Sequence, residues 1–249
     1  VRPRLIAHRG LGFGHPENTL AAFAAALSHP AADGIECDVR LDAAGLARIF
    51  HDEDTERLTG VPGAFEAHPP EALAALRVGG EPVPTLAGLV EVVGARPRAR
   101  ATVVNVELKP TRYARALVAA CAPALEALSA APGVELVVSS FDPRVLAALE
   151  SVQAGWGRAL IFEDPLALNA LKFLGPLDLH PRHDLVDVAS RSAWGTPHRA
   201  WRAWTVNEVG EARRLAGLGV AGLITDDAVA LAAGLEAGAR GGGGSVGVA

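Results

Sequence analysis

Four short segments carry the residues that could do chemistry: His8-Arg9-Gly10, Glu36-Cys37-Asp38, His51-Asp52 and Glu107-Leu108-Lys109. Histidine titrates near neutrality, so His8 and His51 could divide the work of general acid and general base. Glu36 and Asp38 stand two apart, so in a strand they share a face and Cys37 points the other way. Two carboxylates on one buried face repel strongly at low dielectric, and a bound cation removes that cost. Glu107 can supply a third oxygen ligand. Three carboxylates without a thiolate favour a hard divalent cation, Mg2+ or Ca2+, over Zn2+. Arg9 offers a planar fork suited to phosphate, and Lys109 a second positive charge. An acid, a base, a cation and positive charge around the phosphoryl oxygens are what cleavage of a phosphodiester requires. The competing reading is an interior ion-pair network of Glu36 and Asp38 with Arg9 and Lys109, and each histidine taken singly could be structural.

These segments need a frame that brings them together. Apolar β-like runs occur at Leu5–Ala7, Gly34–Val39, Thr102–Leu108, Val134–Ser140, Arg158–Phe162, Leu177–His180, Ala200–Val206 and Gly222–Thr225. Between them lie helix-like stretches such as Thr19–Ser28, Arg115–Leu128, Arg144–Val152 and Val209–Leu218. Strands separated by helices imply βαβ units and a parallel sheet, and eight such units predict a closed (β/α)8 TIM barrel. Active sites of such barrels lie at the C-terminal ends of the strands, where the four segments fall. One connection differs. Gly34–Asp42 and Leu46–His51 are joined only by Ala43-Ala44-Gly45, too short for a parallel crossover, so a hairpin is expected. That hairpin would return His51 to the neighbourhood of Asp38. The segment 54–80, with its several prolines and glycines, reads as an irregular insertion over one end of the barrel. Residues 1–240 then form one domain, and 241–249 a flexible Gly-rich tail.

Secondary candidates are less specific. Asn18 or Thr19 could cap the following helix, with the loop still shaping the pocket and Asn18 reaching the substrate. Phe141 and Trp204 could form an aromatic wall, and His180 could be a further pocket group, whereas Trp194, Trp201 and Arg202 read first as core. The chain has 249 residues, 50% of them hydrophobic, enough for a large core. A net charge of -5 points to no nucleic-acid or anionic-membrane partner. No apolar run reaches the roughly 20 residues of a spanning helix, and none before His8 has the length of a secretory core, so a cytoplasmic protein is expected. Cys37 and Cys121 make neither a ligand pattern nor a disulfide framework.

His8-Arg9-Gly10, Pro16-Glu17-Asn18-Thr19, Glu36-Cys37-Asp38, His51-Asp52 and Glu107-Leu108-Lys109, in that order, resemble the signature of the glycerophosphodiester phosphodiesterase family. The likeness extends to Ser140–Asp142, Trp204–Asn207 and Gly222–Asp227 and covers nearly the whole chain. It implies His8 and His51 as acid and base, and Glu36, Asp38 and Glu107 as ligands of the cation. The implied reaction is hydrolysis of a small glycerophosphodiester to glycerol 3-phosphate and an alcohol. Arg9, Lys109, Asn18, Phe141 and Trp204 are the expected substrate contacts. Two alternatives remain beside it. A lysophospholipase D-type enzyme would need an apolar channel or interfacial face, which Pro62–Pro82 could provide. A barrel that binds phosphorylated ligands without turnover would have no need of two histidines.

Overall fold

The computed structural model describes residues 2–95, 101–152, 155–194 and 199–241. Its strands are β1 (Arg4–Ala7), β2 (Gly34–Leu41), β3 (Ala47–Ile49), β4 (Arg77–Val78), β5 (Glu81–Pro82), β6 (Thr102–Leu108), β7 (Val134–Ser140), β8 (Gly157–Phe162), β9 (Asp178–Pro181), β10 (Arg202–Ala203) and β11 (Gly222–Thr225). Eight of them run parallel in the order β10-β11-β1-β2-β6-β7-β8-β9. Two parallel bridges, Leu179 with Trp201 and Arg182 with Trp204, link β9 to β10 and nearly close the ring. The eight expected strands are therefore those of the barrel. The seventh is shorter than the expected Ala200–Val206. Beyond Ala203 the backbone divides its bonds between neighbours, Trp204 N–H donating to the Pro181 carbonyl and Val206 N–H to that of Ile224.

Alternation along the strands sorts the side chains. Ile35, Cys37 and Val39 of β2 pack outward beneath the helices, in the large buried cluster with Phe23, Leu117 and Cys121. Ile6, Val103, Val137, Ala159 and Ile224 point inward and form an apolar floor across the barrel, with Trp204 resting on it. At the N-terminal end Arg202 is buried between Glu135 and Asp178, and Arg4 also pairs with Glu135. Gly34 sits where β2 and β6 approach so closely that a Cβ would come within 2.3 Å of the Val103 carbonyl oxygen. Helices start where polar caps stand. Thr19 accepts from Ala22 N–H, Thr85 from Gly88 N–H, and Asp142 from Arg144 N–H ahead of Pro143. Among the described residues no helix is long and apolar enough to cross a membrane.

The short connection is a hairpin, as expected. Val39 pairs with Ile49 and Leu41 with Ala47, around a turn in which Gly45 adopts φ 79°. Phe50 N–H then donates to the Asp38 carbonyl, which delivers the next residue, His51, beside Asp38. The following segment is more ordered than its prolines and glycines suggest. Short helices at Glu56–Thr59 and Pro70–Ala75 and the β4–β5 hairpin enclose a separate small core of Phe50, Phe65, Leu73, Leu76, Val78 and Val83. Phe50 and Phe65 stack there at 4.8 Å. Each element is one or two turns long, too short to show a period, which is why the sequence reads as irregular. The helix Ala228–Gly241 runs to the first residue of the expected tail, and 242–249 lie outside the described residues.

Candidate active site

The strand ends converge on a cavity of about 150 Å3 lined by His8, Arg9, Glu36, Asp38, His51, Glu107 and Lys109, with Asn105, Phe141, His180 and Trp204 among its walls. Larger grooves open on the surface, but this small one holds the titratable cluster. Parallel pairing of β2 with β6 sets Asp38 directly beside Glu107, and Glu36 beside Asn105. One oxygen from each of Glu36, Asp38 and Glu107 lies within 4.8 Å of the others, and all three side chains are buried.

Their charges are unequally compensated. Burial and the neighbouring Asp38 charge push the Glu36 carboxyl up to about 8. Burial acts on Asp38 too, but the charges of Lys109, His51 and Arg9 outweigh it and hold the group at about 2. Glu107 is raised by burial despite Lys109. The Lys109 ammonium reaches Glu107 at 2.7 Å and Asp38 at 3.2 Å, and Arg9 Nε lies 3.4 Å from Asp38. Ion pairing is thus real on one side of the cluster, but it stops short of Glu36. One Glu36 oxygen accepts the Arg9 backbone N–H at 3.0 Å, and the other, fully buried, has no partner in the protein. An orphaned carboxylate oxygen facing two further carboxylates fits a cation, and an all-oxygen donor set fits a hard one.

Both histidines are backed by a carboxylate. His8 Nδ1 lies 2.6 Å from Asp226, whose other oxygen accepts from Asn207 Nδ2 at 2.7 Å. His51 Nδ1 lies 2.6 Å from Asp52. A carboxylate on Nδ1 fixes the ring and turns Nε2 toward the cavity, where at His8 it accepts from Arg9 Nε at 3.2 Å. The surroundings then separate the two. Burial would depress His8, but the Asp226 bond and the charges of Glu36 and Asp38 prevail and raise it. His51 is lowered by burial, with the Lys109 and Arg9 charges offsetting the pull of Asp38 and Asp52.

A chain of ion pairs joins the two histidine stations. Arg9, held at φ 53°, donates to His8 Nε2 and pairs with Glu17 at 2.8 Å. Glu17 also accepts from Arg57 at 2.9 Å, and Arg57 returns to Asp52 at 3.0 Å. Arg57 comes from the insertion. Asn18 departs from its expected role. It is buried at φ 57°, donates to Asp38 Oδ2 at 2.8 Å and accepts from Asp38 N–H, so it holds a carboxylate from behind and does not line the cavity. Thr19 is the helix cap.

Phe141 and Trp204 meet edge to face at 5.3 Å on the cavity wall. His180 lies on the floor, wholly buried, with neither ring nitrogen hydrogen-bonded and its basicity depressed by burial and by Arg202. Trp194 and Trp201 stack on each other away from the cavity, and Cys37 lies in the outer core. Sequence reading missed the supporting roles of Asp52, Asp226, Glu17 and Arg57. One signal was present. Closing the ring puts β11 beside β1 with Ala7 opposite Thr225, so the residues that follow, His8 and Asp226, must be neighbours.

Comparison with known proteins agrees on one family. Residues 8–230 match the model of the Glycerophosphoryl diester phosphodiesterase family. A glycerophosphodiester phosphodiesterase of Bacillus altitudinis is 29% identical over 90% of this chain and 94% of its own. A phosphodiesterase of Oleispira antarctica, solved with the product sn-glycerol-3-phosphate, superposes with a TM-score of 0.80 at 25% identity, covering 94% of this chain and 97% of the other. A protein of Silicibacter pomeroyi solved as a putative enzyme of the same kind shares the fold at a TM-score of 0.84 and 22% identity, covering 96% of this chain and 94% of its own.

Proposed function

The chain belongs to the glycerophosphodiester phosphodiesterase family, and from that premise we propose that it hydrolyses small glycerophosphodiesters to sn-glycerol 3-phosphate and an alcohol, using a divalent cation and the pair His8 and His51. The observation that carries this reading is the pairing of two carboxylate-backed histidines around one carboxylate cluster. A protein that only bound phosphate would gain nothing from it. Glu36, Asp38 and Glu107 would hold the cation, Mg2+ or Ca2+. When bound, it supplies positive charge and Lewis acidity beside the phosphoryl oxygens. Arg9 and Lys109 add charge on the same anion and orient it. One histidine takes the proton of the attacking hydroxyl at Nε2, and the other returns a proton to the leaving alkoxide. Phe141 and Trp204 close off one wall and exclude water there. Incubating metal-loaded protein with glycerophosphocholine, with and without chelator, tests the reading. Release of glycerol 3-phosphate that chelator stops is expected, and no release would end it. A lysophospholipid in the same panel tests the lysophospholipase D alternative.

The cation should reveal itself in stability as well. A carboxyl raised to about 8 keeps its proton in the folded protein where the unfolded chain, near its ordinary value of about 4.5, has lost it. The folded state then binds more protons across that window, so its stability falls as pH rises from about 4.5 to 8. A cation takes the proton's place. The gain in Tm from Mg2+ or Ca2+ should therefore grow between pH 5 and pH 8. Thermal unfolding with cation or chelator across that range reads it, and a gain independent of pH would put the cation elsewhere.

Asp226 should act through His8. Its hydrogen bond is the largest of the influences that hold His8 above the ordinary value against burial, with the charges of Glu36 and Asp38 behind it. Asp226→Asn should move the limb of the pH–rate profile governed by His8 to lower pH. It should also cost about a hundredfold in kcat, since the ring loses its fixed tautomer. An unmoved profile with full turnover would leave Asp226 a structural partner only.

A further inference from the structure

Arg40 is a buried cation that the proposed chemistry does not use. It follows Asp38 by two residues on the same face of β2, about 7 Å further along the strand. Only 6% of it is exposed. Its Nε donates to the His51 carbonyl at 2.9 Å, and among the described residues that is its side chain's one hydrogen bond, with no ion pair beside it. Its cross-strand neighbour Arg48, by contrast, pairs with Asp42 at 3.1 Å. Glu53, Glu66, Asp38 and Glu107 all act on Arg40 through space, and none of them pairs with it. With Nε held by the His51 carbonyl, the two terminal nitrogens have no protein partner among the described residues, and a planar carboxylate matches such a fork in a bidentate pair.

The fork lines a groove of about 720 Å3. Asp42 and Gly45 of the β2–β3 turn form one side, Glu53 and, from the insertion, Glu66 a second, and Thr111, Arg112 and Tyr113 after β6 a third. The groove shares no lining residue with the active-site cavity, but the two linings follow each other along the chain. Arg40 follows Asp38 along β2, Pro110 follows Lys109, and the residue whose carbonyl Arg40 holds is His51. A substrate with its phosphate among Arg9, Lys109 and the carboxylate cluster could extend its alcohol half into it.

We infer that this groove seats the leaving alcohol and that Arg40 selects alcohols carrying a carboxylate, with Glu53 and Glu66 placed to receive an ammonium, a headgroup of the serine type. The inference rests on the phosphodiesterase reading above. Glycerophosphoserine and glycerophosphoethanolamine differ only in that carboxylate, so they form a matched pair. The wild-type protein should favour the serine compound in kcat/KM by about ten- to a hundredfold, the scale of a charge-assisted hydrogen bond. In Arg40→Ala the two values should converge, with most of the loss on the serine compound. Arg40 could instead be only a prop for the His51 backbone. Both substrates would then fall by the same factor and the ratio would survive, which overturns the inference, as does a wild-type ratio near one. Should Arg40→Ala fail to fold, Arg40→Lys keeps the charge, loses the fork, and is expected to give an intermediate ratio; an unchanged ratio overturns the inference. If neither compound is turned over, the phosphodiesterase reading falls by itself. Calorimetric binding of the two compounds to the wild-type protein then decides the subsite: tighter binding of the serine compound upholds it, and equal binding overturns it.

Discussion

Replacing His51 with alanine is expected to lower kcat by about three orders of magnitude or more, and replacing His8 to do the same, within the range lost when a positioned acid or base is removed. Each ring is fixed by its own carboxylate at 2.6 Å and faces the same small cavity. Proton removal and proton return belong to one reaction path, so the losses should not add. The double variant should be only slightly worse than either single one. Stability should change little. Both side chains are partly exposed, and without His8 the Asp226 carboxylate still accepts from Asn207. Steady-state kinetics beside thermal scans separate the two effects. A single variant with near wild-type turnover would move that role to another residue, and losses that multiply in the double variant would mean that the two histidines serve separate steps.

The second large effect concerns Glu36. Glu36→Gln keeps the shape but removes the charge that three close carboxylates need in order to hold a cation. Activity should fall by at least about a hundredfold, the scale of losing one well-placed electrostatic group. Stability should move the other way. The wild-type carboxyl, pushed up to about 8, is strained whenever it ionises beside Asp38 without a cation, and the neutral amide is not. In chelator near pH 8 the Gln variant should therefore melt above the wild type, and adding Mg2+ or Ca2+ should raise its Tm far less. A Gln variant that keeps its activity and its cation response would show that these carboxylates are not the seat of the cation.

The parts of this site that were readable in the sequence are those fixed by strand geometry. Alternation alone places Glu36 and Asp38 on one face with Cys37 behind, and a three-residue link forces the hairpin that returns His51. The residues that were not readable act across elements. Glu17 and Arg57 meet across 40 positions of sequence, and nothing local marks either as a partner. Asn18 shows a different limit. A polar residue beside a motif invites a substrate contact, but φ 57° turns its amide onto Asp38 instead. Arg40 carries no local mark of its burial: a charge near a turn reads as solvated surface, whereas β2 continues to Leu41 and buries it.

The insertion's own small core has a consequence for how the protein can be damaged. The barrel's buried cluster does not include Phe65, Leu73 or Val78, so the cap and the barrel are packed as separate units. Among the described residues Arg57 is the cap side chain that bonds Glu17 and Asp52. The cap's exposed bend at Gly60, Val61 and Pro62 presents the kind of surface that proteases nick. A single cut there would leave the barrel folded and its melting nearly unchanged. It would nonetheless loosen the short helix that carries Arg57, which Thr55 ties to the Val61 and Gly63 carbonyls, and so weaken the hold of Arg57 on Glu17 and Asp52; activity is expected to fall before the barrel melts.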